Sequence, residues 1–281
     1  MNHSVKAANA PFIHIRPKKG WQLLDFNELG AYRDLFYFLV MRDIRVRYKQ
    51  TVLGGLWAII QPLFSMVVFS LFFGKLARMP SDGVPYPIFS FTAMVAWTYF
   101  CNALSGSGNS LIGSANLISK VYFPRIIIPL APILAGLLDF SIAFVILLLM
   151  MLYFHIFPTT LITLVPFLVF LMILTASGIG MFLAALNAKY RDIKYAIPFL
   201  VQIWLFLCPV VYPSSMVPEK YRIIYSFNPM VGIIEGFRSA LLGNIPFPVY
   251  PLLLSLAVSS ILFCGGLLYF KHMEKHFADI V

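Results

Sequence analysis

The sequence predicts an all-α integral membrane protein that crosses the bilayer six times. Of its 281 residues, 60% are hydrophobic and only 11% are charged, whereas soluble domains are about a quarter charged. The apolar residues form blocks close to the ~20 residues that a helix needs to cross ~30 Å of hydrocarbon. A water-soluble core cannot hold this much apolar surface, so we expect one membrane domain.

The spans follow from the positions of these apolar blocks. The predicted spans are residues 54–74, 86–104, 130–153, 161–186, 196–212 and 250–270. The first carries no charged residue, and the third carries only Asp139. Residues 1–53 are predicted to form a cytoplasmic tail with an interface helix, and residues 54–281 the transmembrane domain.

Lys and Arg residues determine the predicted orientation. Six spans place both termini on one side. If that side is the cytoplasm, 16 of the 21 Lys and Arg residues lie in inner segments and 5 in outer ones. Most of this bias comes from the N-terminal region. The first fifty residues contain no short apolar core followed by a small-residue cleavage site, so no signal peptide is expected and the N-terminus should stay cytoplasmic.

An amphipathic helix is predicted before the first span. The apolar run 35–41 is too short to span and has charged residues on both sides. Apolar residues recur at helical spacing at Leu29, Tyr32, Leu35, Phe36, Leu39 and Val40. This pattern is typical of a helix lying in the membrane surface. Basic residues on the helix, which gain about 1 kcal/mol each from anionic lipid, are candidates for headgroup binding; they are Arg42, Arg45, Arg47 and Lys49. A solvated charged face fits the same pattern.

A re-entrant helical hairpin is predicted between the fifth and sixth spans, over residues 213–249. Asn228 suits a helix N-cap, Pro229 the first helical position and Gly243 the C-terminal cap. The helix between those caps, about 21 Å long, cannot cross ~30 Å of hydrocarbon. It should therefore enter from the outer face and return, buried against protein.

No catalytic, nucleotide-binding or metal site is predicted on the chain. The sequence contains no GxxxxGKS or GxxxxGKT loop, no HExxH and no GxSxG, and its five His residues are scattered. Cys101, Cys208 and Cys264 lie in apolar segments without CxxC spacing, so neither a disulfide framework nor a zinc site is indicated. The net charge of +10 sits beside apolar blocks, which favours anionic lipid over nucleic acid as the partner.

Three charged residues lie in apolar surroundings. Asp139 is the only acidic residue within a clear span, and an intramembrane carboxylate is a functional candidate by default. Because no Lys or Arg lies in a span to neutralise it, Asp139 is expected to face a hydrated cavity, to stay protonated or to hydrogen-bond to a neighbouring helix. Glu235 and Arg238 are spaced to pair locally on the re-entrant helix. The alternative is that they line an outer gate.

Aromatic side chains crowd several spans. Trp57, Phe64 and Phe69 belong to the first, and Trp204 and Tyr212 to the fifth. Flat rings along a wide path suit the apolar faces of sugar rings, so these residues and Asp139 are candidates for a substrate path. Interfacial belts of Trp and Tyr, together with lipid-facing Phe, explain the same crowding.

Three stretches of sequence carry a family pattern. The first is RDIRVRYKQTVLGGLW at 42–57, continuing to Gln61 and Pro62; the second is NLISKVYFPR at 116–125; the third joins KYRDIKY at 189–195 to PVVYP at 209–213 and NPM at 228–230. Together they resemble the membrane subunits of ABC exporters for polysaccharides such as O-antigen, capsule and teichoic acid. The resemblance extends from about residue 25 to the C-terminus.

The resemblance implies an architecture and partners. An interface helix would precede six spans, two such subunits would form a homodimer around a channel, and two separate ATPase subunits would dock on the cytoplasmic side. It implies docking contacts at Lys120, Tyr122, Arg125, Arg191, Asp192 and Lys194, and an outer gate helix at 228–243. ATP and Mg would be bound by the partner, with no cofactor on this chain. Switching a carrier from 1:99 to 99:1 takes about 5.5 kcal/mol of differential binding, and without a nucleotide site this chain needs a partner to supply it.

The predicted function is therefore that of a non-enzymatic transport subunit in the bacterial inner membrane. It would belong to an ATP-driven exporter that moves a lipid-linked polysaccharide from the cytoplasmic leaflet outward. A membrane-embedded transferase acting on a polyprenyl-linked sugar is one alternative, but the chain has few carboxylates for it. A passive channel is the other, but it would not need the basic loops that resemble docking sites.

Overall fold

The structure, a computed structural model, describes residues 26–49, 56–190, 192–243, 245–275 and 277. All regular elements in these ranges are helical. The α-helices are α1 (Phe26–Ala31), α2 (Arg33–Tyr48), α3 (Trp57–Phe69), α4 (Tyr86–Gly113), α5 (Ala115–Ile118), α6 (Ile127–Tyr153), α7 (Val165–Lys189), α8 (Ile193–Phe206), α9 (Glu219–Ser226), α10 (Pro229–Leu242) and α11 (Val249–Glu274). A π-helical segment, Ser70–Leu76, extends α3, and a 3-10 turn, Thr160–Leu164, precedes α7.

Five helical segments of the described chain are long and apolar enough to cross a membrane. They are Ile59–Leu76, Tyr86–Gly113, Ile127–Tyr153, Thr160–Lys189 and Val249–Glu274. These segments correspond to five of the six predicted spans. The remaining predicted span, 196–212, coincides with α8, a shorter apolar helix.

Two helices differ in length from their predicted spans. The second predicted span ended at residue 104, but α4 continues to Gly113. Its polar extension stays helical because it packs on protein: Ser107, Gly108 and Leu111 are buried, and the Asn187 amide of α7 donates to the Gly108 carbonyl at 2.9 Å. The fifth span was predicted to reach residue 212, but α8 ends at Phe206. Pro209 and Pro213 follow, and a helix cannot continue through them with its hydrogen bonds intact.

The two ends of the bundle are defined by which helices begin and end there. At the basal end, α4, α7 and α11 finish and α6 begins. Their side chains share a buried cluster that includes Leu111, Ile127, Met181 and Phe270 together with Leu39 of α2. The apolar face predicted for residues 29–40 therefore packs on protein, at least in part. At the opposite, apical end, α6 finishes and α7 and α11 begin.

Helix α10 lies at the apical end and has the caps that the sequence predicts, while its entry from the outer face stays a prediction. The Asn228 side chain accepts a hydrogen bond from the Met230 N–H at 3.2 Å, Pro229 occupies the first turn, and Gly243 has a left-handed φ of 68°. All fourteen residues between those caps are buried. The Ala240 carbonyl accepts a bond from the Thr159 N–H before α7, which ties the helix to the apical ends of its neighbours.

Helices α7 and α11 cross at unusually close range. A Cβ on Gly266 would collide with the carbonyl oxygen of Gly178, and a Cβ on Gly178 would meet the backbone of Leu262 and Phe263. The hydroxyls of Thr175 on α7 and Ser259 on α11 also form a 2.7 Å hydrogen bond between the two helices. Small residues that let backbones approach are a common means of packing helices in membranes.

We predict that Gly266→Ala destabilises the protein by about 1–3 kcal/mol, because a methyl group has no room at this crossing. Gly265→Ala is the matched control, since a Cβ there meets no atom within 4 Å; it should be neutral or stabilising by up to about 1 kcal/mol. Thermal unfolding followed by size-exclusion chromatography in detergent measures both. Equal melting temperatures for the two variants would contradict the close crossing.

Candidate functional site

A cavity of the described chain lies among the helices of one subunit. Its volume is about 300 Å³, and it is enclosed by the C-terminal turn of α2, the first turns of α3 and the middle of α4 and α6. The lining side chains that carry polar groups are Arg47, Tyr48, Trp57, Gln61, Thr98, Tyr99, Asn102, Ser105 and Asp139. A mixed polar and aromatic cavity of this size is typical of a small-ligand site.

Asp139 is neutralised at this cavity. Arg47 forms an ion pair with one of its carboxylate oxygens, and the Tyr48 hydroxyl donates a hydrogen bond to the other. The sequence has no cation within a predicted span to pair with Asp139, and α2 supplies one from outside the spans. Of the three expectations for Asp139, the hydrogen bond to a neighbouring helix is present, and the residue lines a cavity whose hydration stays a prediction.

The ion pair fixes the path of α2 relative to α6. Leu39 is buried in the basal cluster with Ile126–Ile128 at the start of α6, whereas Arg47 reaches Asp139, about 18 Å further along α6 by helix geometry. Helix α2 therefore follows α6 from the basal end towards its middle. That it lies in the membrane surface remains a prediction.

The basic residues of α2 differ in their surroundings. Arg42 is paired with Asp43 at 2.8 Å, and Arg47 is committed to Asp139. Arg45 and Lys49 are exposed and form no ion pair with any described residue. Binding of lipid headgroups remains a prediction for all four residues. It is most accessible to Arg45 and Lys49, because their side chains are exposed and are not used in an ion pair with a described residue.

The residues predicted for a substrate path do not all meet in one place. Trp57 and Asp139 line the cavity. Phe64 points outward and is 67% exposed, while Phe69 packs edge-to-face on Phe73 at 5.7 Å. Sugar contact by these rings remains a prediction. Of the three, Trp57 is the ring that lines the cavity.

The other two predicted path residues connect α8 to α10. The Trp204 indole N–H donates to the Asn228 side chain at 3.1 Å, which also N-caps α10. The Tyr212 hydroxyl donates to the Phe206 carbonyl and accepts a bond from Tyr225. Burial raises the pKa of Tyr225, and its hydrogen bond to Tyr212 raises it further, so Tyr225 stays a neutral donor. Sequence reasoning gave no indication of these contacts.

Glu235 and Arg238 form the expected local ion pair, and it is deeply buried. The distance between Arg238 Nη1 and Glu235 Oε1 is 3.1 Å, and the two residues are 0% and 4% exposed. Arg238 also donates to the Val210 carbonyl at 3.1 Å and lies 3.6 Å from the centre of the Phe89 ring. The pair thus joins α10 to α4 and to the segment after α8, while its role in an outer gate remains a prediction.

The described residues that the family resemblance assigned to docking share the basal end. Lys120, Tyr122, Asp192 and Lys194 are exposed there, whereas Arg191 lies outside the described residues. Arg125 is different, because its guanidinium donates to the Glu274 carbonyl at the end of α11 at 2.6 Å. Arg125 therefore has a structural contact of its own. Docking remains a prediction for all of them.

These features define a class of protein: a multi-span membrane protein with a polar cavity among its helices and exposed basic turns at one end. Within that class, the chain belongs to the ABC-2 type transporter family, whose model matches residues 34–242. The match includes α2, the cavity and α10.

Individual relatives extend the comparison over nearly the whole chain. The O-antigen export system permease protein RfbA of Myxococcus xanthus is 26% identical over 257 residues, which is 90% of this chain and 98% of the relative. RfbA of Klebsiella pneumoniae is 26% identical, with 90% and 97% covered. The polysialic acid transport protein KpsM of Escherichia coli is 26% identical over 212 residues, which is 73% of this chain and 80% of the relative.

We predict that Arg47 and Asp139 are energetically coupled. Arg47→Met and Asp139→Asn each leave one partner uncompensated and should lower the free energy of unfolding, whereas the double variant removes both charges. The coupling energy in a double-mutant cycle should lie at about 0.5–3 kcal/mol. Denaturant unfolding in detergent measures it, with the exposed Arg45→Met as control. Strictly additive effects would contradict the pairing.

Proposed function

We propose that this chain is the permease subunit of an ATP-driven exporter that moves a lipid-linked polysaccharide, of O-antigen or capsule type, outward across the bacterial inner membrane. The observation that carries the proposal is the family match over residues 34–242, joined to near full-length similarity with O-antigen export permeases. Similarity to a polysialic acid transporter extends it to capsule-like glycans.

The proposal includes six crossings, with both termini cytoplasmic and the basal end facing the cytoplasm. Helix α7 ends in the basal cluster, whereas α10 packs at the apical end, which supports a further crossing between them. Helix α8 is about 21 Å long, and its Trp204 bonds to the start of α10. Residues 207–213 would complete the fifth crossing. Helices α9 and α10 would then form the outer re-entrant hairpin within the 54–281 membrane domain, with residues 1–53 serving as tail and interface helix.

The proposal also includes partners. Two copies of an ATP-binding subunit, carrying ATP and Mg, would dock on the basal turns, and two copies of this chain would enclose the path, with lipid headgroups at α2. The family membership supports an ATPase partner. Because the sequence holds no P-loop motif, the free energy for the conformational cycle has to come from that partner.

The two alternatives receive less support. A transferase needs acidic or basic groups converging on a diphosphate, and the cavity offers a single carboxylate that is already paired with a single arginine. A passive channel has no use for an ATPase, and the relatives are named as export or transport proteins.

Deletion of the gene in its own host tests the function. Surface polysaccharide should disappear while complete lipid-linked polysaccharide accumulates on the cytoplasmic leaflet, and a plasmid copy should restore export. Accumulation of an unfinished or unlinked glycan would instead favour the transferase. Normal surface polysaccharide after deletion would contradict the proposal.

We predict opposite sides of the membrane for two reporter positions. A reporter fused after Val281 should report the cytoplasm, and one inserted at Lys220 in α9 should report the outer face, because six crossings separate the N-terminus from the C-terminus and five precede α9. Paired alkaline phosphatase and fluorescent protein fusions measure this. A cytoplasmic signal at both positions would reject the six-span arrangement.

We predict that the double variant Lys120→Glu, Lys194→Glu loses the ATPase subunit without loss of folding, since both side chains are exposed at the basal end. Arg125→Glu should instead lower the melting temperature, because it breaks the bond to the end of α11 and places a carboxylate beside Glu274. Co-purification and stimulated ATP hydrolysis, each normalised to folded protein, separate the two effects. If the double variant still co-purifies with the ATPase subunit and stimulates ATP hydrolysis fully, these lysines contribute to the orientation of the chain in the membrane and not to docking.

A further inference from the structure

The cavity beside Asp139 contains more polar groups than its own hydrogen bonds use. The side chains of Gln61, Thr98, Asn102 and Ser105 line it, and none of them bonds to another described residue. All four lie on α3 or α4, which are candidate membrane spans. Amides and hydroxyls that bond to no described residue are available to hydrogen-bond to water or to a ligand.

The charges of the cavity point to a neutral ligand. Among its described lining residues, Arg47 and Asp139 are the charged ones, and they neutralise each other. An anionic phosphate would have to displace Asp139 from Arg47 and remain beside a carboxylate. A neutral hydroxyl group avoids this cost, because a carboxylate offers about four acceptor positions and the contacts with Arg47 and Tyr48 use one on each oxygen.

The remaining wall of the cavity is aromatic. Trp57, Tyr99 and Phe140 all line it, and the rings of Tyr99 and Phe140 are held edge-to-face at 5.6 Å. The Tyr99 hydroxyl is anchored to the Ile133 carbonyl, which fixes that ring in place. Rigid rings provide apolar faces, while amides and a carboxylate provide the directed bonds that hydroxyl groups need.

The cavity is accessible from the outside of the subunit. Trp57, Gln61 and Asn102 are all exposed, so its mouth lies between α3 and α4 on the surface of the bundle. Because α3 and α4 are candidate membrane spans, this opening would allow an amphiphile to place its headgroup in the cavity while its tail stays in lipid.

We propose that this cavity within the single subunit is a binding site for one neutral sugar unit of a lipid-anchored ligand. Gln61 and Asn102 form hydrogen bonds with its hydroxyl groups. Asp139 accepts a hydrogen bond from a further hydroxyl, and Trp57 packs against an apolar face of the sugar ring. This proposal rests on the proposed export function only for the biological source of the sugar. The binding chemistry itself depends only on the cavity.

Protection of a cysteine in the cavity tests the proposal. The full-length chain, with Cys101→Ala and Cys264→Ala to remove accessible thiols and Thr98→Cys as reporter, is placed in lipid nanodiscs and modified with a methanethiosulfonate reagent. Dodecyl maltoside below its micelle concentration is the probe. It should slow modification several-fold, whereas dodecyl octaethylene glycol ether, with the same tail and no sugar, should leave the rate unchanged.

Two variants identify the residues responsible. Asn102→Leu and Gln61→Leu, on different helices, should each remove the protection by dodecyl maltoside. Gln202→Leu changes an exposed amide on α8 outside the cavity and should keep it. Protection that survives both cavity variants would overturn the assignment of those amides.

Three other results would overturn the sugar site. Equal protection by the sugar-free ether would make the cavity a slot for lipid tails. Protection by dodecyl phosphate alone would make it an anion site, and no protection by any amphiphile would leave a hydrated gap. Because no ATPase and no native glycan take part, a failure here leaves the export proposal standing, and a failure of export in the deletion strain leaves this measurement interpretable.

Discussion

A charged group inside the hydrocarbon of a bilayer has to find a partner within the protein, and much of this structure follows from that requirement. Asp139 of α6 is paired with Arg47 and hydrogen-bonded by Tyr48. Since both partners belong to the last turn of α2, this helix is held along α6 instead of apart from the bundle. Its end and the beginning of α3 then form one wall of the polar cavity.

The same requirement organises the apical end. Arg238 on the short buried helix α10 is satisfied by Glu235, the Val210 carbonyl and the face of Phe89. Asn228 caps α10 and also binds Trp204 of α8. Helix α10 is therefore attached to α4 and α8 through polar contacts that tolerate little change in geometry. A movement of α8 would be transmitted to α10 through these bonds.

Local features of the sequence predicted the structure better than long-range ones. The caps of α10 at Asn228 and Gly243 and the pair of Glu235 with Arg238 follow from spacings of a few residues, and the structure has all of them. The pairing of Arg47 with Asp139 joins residues 92 positions apart, which periodicity cannot reveal, although a lone carboxylate in a span does demand some cation. Hydropathy ended α4 too early because the polar end of this helix is held by contacts with neighbouring helices, where Ser107 and Leu111 are buried, and hydropathy does not register such contacts. It extended α8 too far because apolar residues continue through Pro209, where the helix cannot.

Transport by the reconstituted complex tests the central claim most directly. The chain and its ATPase subunit would be placed in proteoliposomes with a fluorescent lipid-linked glycan in the leaflet that faces the ATPase, and a glycan-binding protein added on the opposite side would detect arrival. If the chain is the permease of an ATP-driven exporter, arrival of the glycan on the opposite side should require both ATP hydrolysis and this chain. Arrival at the same rate without ATP would indicate a passive channel, and a covalently altered glycan would indicate a transferase; either result would contradict the assignment.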